Sequence, residues 1–254
     1  MNDALLGRTA SVTGAGRGIG RSIALGLAAD GARVALLARS VDQLAEVAAA
    51  VSAAGGTALV VPADVGDPQG VNQAAALVLA EFGAVDILIN DAAVVAPLGP
   101  TVSVDADAWA LAFAVNVAGP LRLTQAVLPG MIERGWGRIA NVSSGIAARP
   151  AATIGMNAYA ASKSALEAHT LNLAAELAGT GVTANVYRPG SVDTAMQGWI
   201  RSQPAEEIGA ALHERFTESY QRGALLTPEQ SAQSLLERLA GDETGLVWSV
   251  NDPS

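Results

Sequence analysis

Tyr159 and Lys163 stand four residues apart in the segment MNAYAASKSAL. On a helix that spacing puts both side chains on one face. A phenol has a free pKa of about 10, so alone it is a poor proton carrier at neutral pH. An ammonium beside it favours the phenolate and lowers that pKa. The pair reads as an acid/base device. Lys163 is also the only lysine among the 15 basic residues. Arginine would supply the same charge, but as a wide planar fork instead of a compact head with three rotatable donors. A site that must hold a phenol and a second ligand together has reason to keep the smaller head.

A second chemical stretch is TGAGRGIG, Thr13 to Gly20. Its glycines let a backbone turn sharply and come close to a phosphate. Gly14, Gly16, Arg17, Gly18, Ile19 and Gly20 then lead into a helix whose N-terminal N–H groups would face a pyrophosphate. About twenty residues on, the tip of the next strand carries no acid for a ribose 2′-hydroxyl. It reads Ala38, Arg39, Ser40. Arg39 and Arg17 with the Ser40 hydroxyl suit a 2′-phosphate, so the expected cofactor is NADP(H). Asp64, followed by Val65, is placed either to accept from an adenine amino group or to serve as an acid at a helix start. Asn90 ends the fourth strand, at the crevice where strand order should reverse.

The elements that must hold these residues follow from the apolar pattern. Short apolar runs (TASVTG, ARVALLAR, TALVVPAD, VDILIN, GRIANVSS, GVTANVYRPG and GLVWSV) alternate with helix-like segments from end to end. The runs are continuous and not alternating, which implies strands buried on both faces. Strands alternating with helices imply right-handed βαβ units. The expected architecture is one α/β domain over 1–254, a Rossmann fold with a doubly wound, mostly parallel sheet of about seven strands. One long helical region should run from about 105 to 134 and another from 195 to 240.

At this point the chain resembles the short-chain dehydrogenases/reductases over essentially its full length. The motifs are T-G-x-x-x-G-x-G at Thr13–Gly20, Y-x-x-x-K at Tyr159–Lys163, a serine after GRIANV, and P-G-x-x-x-T at Pro189–Thr194. The resemblance implies that Tyr159 is the general acid/base for hydride transfer between a nicotinamide and a ketone or secondary alcohol. It implies that Lys163 also holds the nicotinamide ribose. Ser144, the second of the serine pair after GRIANV, matches the residue that hydrogen-bonds the substrate oxygen. Asn116 matches the asparagine supporting a proton-relay water. Pro189, Gly190, Val192 and Thr194 match the segment at the nicotinamide carboxamide. Asn90 and Ala92 match the turn after the fourth strand, where this chain departs from the usual Asn-Asn-Ala-Gly by Asp91 and Ala93. The spacing of 15 from Ser144 to Tyr159 is slightly long, and the loop between them is expected to shape the pocket.

A helix through Lys163 that is apolar or small on more than one face, together with the family resemblance, implies a homotetramer or homodimer. The net charge of −9 argues against nucleic acid, which needs a basic footprint. Without cysteine there is no disulfide, thiol nucleophile or thiolate metal site, and His169 and His213 lack metal-ligand spacing. No apolar run of membrane-spanning length and no signal-peptide pattern is apparent, so the expected location is the cytoplasm. A narrower reading is a 3-oxoacyl-carrier-protein reductase, which would need a basic entrance formed from Arg134, Arg138 and Arg149. A non-catalytic NADP(H)-binding sensor would not need the Tyr159–Lys163 pair. Residues 195–226 form the expected substrate lid. There Met196, Trp199, Ile200, Phe216 and Tyr220 line either an apolar pocket or a helix core.

Overall fold

The computed structural model describes residues 4–252. Its strands are β1 (Thr9–Thr13), β2 (Arg33–Ala38), β3 (Thr57–Pro62), β4 (Ile87–Asn90), β5 (Gly137–Val142), β6 (Val182–Arg188) and β7 (Val247–Ser249). They form one sheet in the order β3-β2-β1-β4-β5-β6-β7, and every neighbouring pair is parallel. The order reverses between β1 and β4, which opens a crevice at the C-terminal ends of the strands. Fully buried runs in β1, β4 and β5 match the continuous apolar reading.

Helices cover both faces. One face carries α1 (Gly18–Ala29), α2 (Val41–Ala53) and α10 (Pro228–Leu239) around a core that includes Ile23, Leu27, Leu44 and Leu235. Helix α10 lies against α1: Ser22 Oγ donates to Glu229 at 3.0 Å, and Gly26 leaves room for Leu236. The other face carries α3 (Pro68–Phe82), α5 (Gly119–Glu133) and α6 (Asn157–Glu176) around Val71, Val78, Leu123, Met131 and Leu173. Helix starts follow their sequence signals. Ser40 caps α2, Asp67 caps α3 ahead of Pro68, and Gly83 closes α3 in the left-handed conformation.

Two helical regions differ from expectation. The first is α4 (Ala106–Phe113), a π-helical turn (Ala114–Ala118) and α5 in continuous succession. Residues Ala106–Glu133, expected as one long helical region but not as an apolar run of membrane-spanning length, are long and apolar enough to cross a membrane. In the fold it behaves as a core helix, with Val115, Asn116, Leu123 and Val127 buried. The second region, 195–240, is four helices: α7 (Ala195–Arg201), α8 (Ala205–Ile208), α9 (Ala210–Gln221) and α10. Pro204, Gly209 at φ +96° and Gly223 at φ +63° break the run.

Candidate active site

The crevice at the sheet switch point is bounded on one side by the β1–α1 turn. Gly14 at φ +69° and Gly18 at φ +56° take backbone conformations that side chains rarely adopt. A Cβ on Gly20 would stand 2.5 Å from the Gly14 carbonyl oxygen, so the turn closes only on glycine. Helix α1 has neither a side-chain cap nor an acid in its first turn. Most of its leading N–H groups stay available to a phosphate. The turn therefore fits a dinucleotide pyrophosphate.

Beyond the turn the crevice wall passes along Ala38, Arg39, Ser40, Asp64 and Val65, with Gln43 and Ala63 between them. Arg17 and Arg39 are exposed at this wall. Ser40 Oγ also accepts the Gln43 N–H at 3.4 Å as the α2 cap. Asp64 is not the α3 cap; that position belongs to Asp67. Asp64 Oδ1 accepts the Gly66 N–H at 2.8 Å, and Oδ2 stands 4.0 Å from Arg39.

At the opposite end α6 brings Tyr159 and Lys163 to the wall, as their spacing implies. Tyr159 hydrogen-bonds Ser144, which is not itself on the crevice wall, while the neighbouring Ser143 lines the wall and donates its hydroxyl to Glu167 Oε1 at 2.7 Å. That separates the two serines of the pair. Lys163 Nζ donates to the Val142 carbonyl at 2.7 Å and stands 5.8 Å from the Tyr159 ring centre. Asn116 lies in the π-helical turn, fully buried. Its amide donates to Val94 O at 2.9 Å and to Ser162 Oγ at 3.0 Å, and its oxygen accepts the Val94 N–H. It thereby fixes the β4–α4 loop to α6, and π-helical turns recur at such sites.

The electrostatics correct one expectation. Lys163 was expected to bring the Tyr159 phenol below its ordinary value. Instead burial and then the nearby Asp91 charge push it up to about 12, against the Ser144 hydrogen bond. Burial also takes Lys163 down to about 8, with Asp91 and Glu167 opposing. The cause is desolvation: α6 seats both groups where charge is poorly hydrated. Asp91 itself is raised to about 6 by burial, against the Lys163 charge and a hydrogen bond from the Gly20 N–H.

Not every expected cofactor residue faces the crevice. Pro189, Thr194 and Ala92 do, but Gly20, Asn90, Gly190 and Val192 lie behind its walls. The Asn90 side chain points into the helix layer. Its amide donates to Asn141, whose amide donates to Thr170 on α6, and its own oxygen has no partner among the described residues. Gly190, at φ +80°, and Val192, bridged to Leu226, shape the loop below Thr194. Met196, expected in the lid, is on the wall, and wall residues without an expected role include Gln43, Asp91, Val94 and Val142. Of these, Asp91 alone carried a visible signal, as a departure from the family turn.

The lid residues divide between the two readings. Ile200 is buried, and Met196 and Phe216 pack with Leu98, Ile146 and Tyr159 around an apolar cluster beside the crevice. Trp199 is exposed, and so is Tyr220, which stacks under Arg201. Two of the three arginines expected at a basic entrance are elsewhere, while Arg149 is exposed in the loop between Ser144 and Tyr159. Arg134 pairs with Asp86 at 3.3 Å and Arg138 donates to Gly137 and Gly181 carbonyls, both at the N-terminal edge of the sheet.

Comparison with known proteins agrees with this geometry. The short chain dehydrogenase family profile matches residues 8–205. A short chain dehydrogenase of Pseudocercospora fijiensis (strain CIRAD86) is 42% identical over 194 residues, covering 76% of this chain. The chain spans 62% of that relative's length. L-sorbose reductase from Gluconobacter frateurii, solved with NADPH and L-sorbose, superposes with a TM-score of 0.86 at 28% identity. The match covers 98% of this chain and 97% of that one. An NAD+-bound xylitol dehydrogenase superposes with a TM-score of 0.85 at 26% identity, covering 96% and 98%. With its all-parallel sheet, glycine turn and tyrosine–lysine helix, the chain belongs to the short-chain dehydrogenase/reductase family of oxidoreductases.

Proposed function

We propose that the chain is an NADP(H)-dependent reductase of ketones that also oxidises secondary alcohols. The observation that carries this reading is the pairing of Tyr159 with Ser144 at one end of a crevice whose other end presents Arg17 and Arg39. When bound, the nicotinamide supplies or accepts the hydride. Ser144 and Tyr159 hold the carbonyl oxygen between two hydroxyls. The Tyr159 proton passes to that oxygen as the hydride reaches the carbonyl carbon, so no free alkoxide forms. Solvent then returns a proton to the phenolate. A phenol near 12 is fully protonated at neutral pH, which suits donation and hence reduction. Lys163, whose Nζ now donates to the Val142 carbonyl, would hold the ribose hydroxyls when the dinucleotide is bound and would stabilise the phenolate.

Asn116 supports the relay by holding Val94 against α6. Gly14, Gly16, Arg17, Gly18 and Ile19 would cradle the pyrophosphate, Arg39 and Ser40 would take the 2′-phosphate, and Asp64 and Val65 would flank the adenine. Pro189 and Thr194 hold the nicotinamide end, with Gly190 and Val192 shaping their loop. Residues 195–226 close over a substrate whose flank is apolar, because Leu98, Ile146, Met196 and Phe216 pack with Tyr159. Exposed apolar residues on the helices of one face, Leu111, Leu121, Ile132 and Leu171, favour twofold pairing into a tetramer.

The test is loss of NADPH absorbance with a panel of ketones, aldehydes, sugars and acyl thioesters. Turnover of a ketone by wild type and not by Tyr159→Phe is expected. No turnover of any carbonyl would overturn the reading.

A further inference from the structure

Position 91 places a carboxyl directly beneath the phosphate-binding turn. The N–H groups of Asp91 and Ala92 both donate to Thr13 Oγ1 at 3.0 Å, which pins this residue against the end of β1. Oδ2 then lies 3.1 Å from where a Cβ on Gly14 would stand and 2.7 Å from that of Gly20. The carboxyl accepts the Gly20 N–H in the first turn of α1. No side chain fits between it and the turn.

The groups facing it are few. From α6 come the Lys163 charge and the Tyr159 phenol. From β1 comes the neutral Thr13 hydroxyl, and from α1 the Gly20 N–H. Arg17, on the turn itself, is exposed. Glu167 acts on Lys163 from one helical turn further along but is held by Arg188 and Ser143. Burial already disfavours the carboxylate, taking the group up to about 6.

A pyrophosphate seated on the same turn would bring more negative charge against the same helix end. We infer that Asp91 must be neutral for the dinucleotide to bind tightly, so that cofactor binding draws one proton onto this carboxyl. The inference rests on the crevice being the dinucleotide site. It makes Asp91 a residue that sets the pH dependence of cofactor affinity without touching the nicotinamide.

The family's own asparagine supplies the test. Asp91→Asn keeps an oxygen for the Gly20 N–H and removes the charge. NADPH dissociation constants are measured by fluorescence from pH 5.5 to 8 for wild type and Asp91→Asn. Titration of the 2′-phosphate is common to both proteins, so their ratio isolates position 91. That ratio should grow by up to about fiftyfold between pH 6 and pH 8, with wild type the weaker at high pH. Calorimetry of wild type with NADH, which lacks the 2′-phosphate, in buffers of different ionisation enthalpy should show proton uptake near pH 7. A constant ratio, or no proton uptake by wild type, would overturn the inference while leaving the dinucleotide site in place. Failure of wild type to bind either dinucleotide at any pH would instead remove the site reading, and this inference with it.

Discussion

Arg188 grips Glu167 through two contacts, Nε to Oε1 at 2.9 Å and Nη2 to Oε2 at 2.7 Å. The same carboxylate accepts from Ser143 at 2.7 Å. The ends of β5 and β6 are thus tied to α6, one helical turn below Lys163. These are the segments that carry Ser144, Pro189 and Tyr159. Bidentate pairs of this kind fix geometry as well as charge.

Removing one partner should expose that role. Arg188→Met leaves a mostly buried carboxylate without its cation. Urea unfolding should show a loss of about 3 kcal/mol. Replacing both residues together, Glu167→Met with Arg188→Met, should be milder than Arg188→Met alone. If the double variant is the worse of the two, the pair does not act as a unit.

Cofactor choice is the second expectation. NADPH should bind at least about tenfold better than NADH, or about 1.4 kcal/mol, through Arg17 and Arg39. Arg39→Asp should reverse the order, read by fluorescence titration with both dinucleotides. Equal affinity in wild type would contradict the 2′-phosphate site.

The lone lysine makes a third. Lys163→Arg keeps a cation, but its fork must fit where Nζ now reaches the Val142 carbonyl among buried atoms. Turnover should fall by more than about tenfold, with NADPH binding weakened. Activity within about twofold of wild type would show that the head group is interchangeable. Tyr159→Phe should lose turnover and keep binding.

Asp91 also has a folding consequence with a definite sign. Its folded-state pKa, about 6, lies above the ordinary 3.8. Its favourable contribution is complete below 3.8 and is lost as pH rises through 6. Asp91→Asn should therefore stabilise the protein at pH 7.5 by up to about 3 kcal/mol and change little at pH 3.5. Urea midpoints at the two pH values decide it; equal gains at both would rule out a charge effect.

Assembly is the fifth expectation. Light scattering at micromolar concentration should give a tetramer, and Leu121→Asp or Leu171→Asp should reduce it to smaller species. A monomeric wild type would contradict pairing through these helices.

Much of the frame was legible in the sequence because parallel strands covered on both faces leave unbroken apolar runs. Tyr159 with Lys163 was legible from helical spacing alone. The π-helical turn at Asn116 was not, since an extra residue per turn leaves no mark in composition. Ser144 was separated from Ser143 by the family resemblance, but the partner that holds Ser143, Glu167, 24 residues away from it, was not legible. The raised phenol of Tyr159 escaped for a related reason. Which of two neighbours dominates a buried group depends on depth, and depth is a property of the whole fold. The break of 195–240 into four helices had signals in Pro204, Gly209 and Gly223, but apolar content ran across them.

The contact of α1 with α10 has a consequence for how the chain is made. Ser22 meets Glu229 across a separation of 207 residues, so the helix that follows the glycine turn waits for a segment synthesised much later. Until Leu236 arrives, α1 lacks the apolar cover that this side chain gives at Gly26. On the ribosome, before α10 is made, the glycine turn stands on an unfinished wall, a species open to premature association and to chaperones. A chain halted at Leu226 is expected to bind a hydrophobic dye strongly, and supplying α10 as a separate peptide should quench that signal.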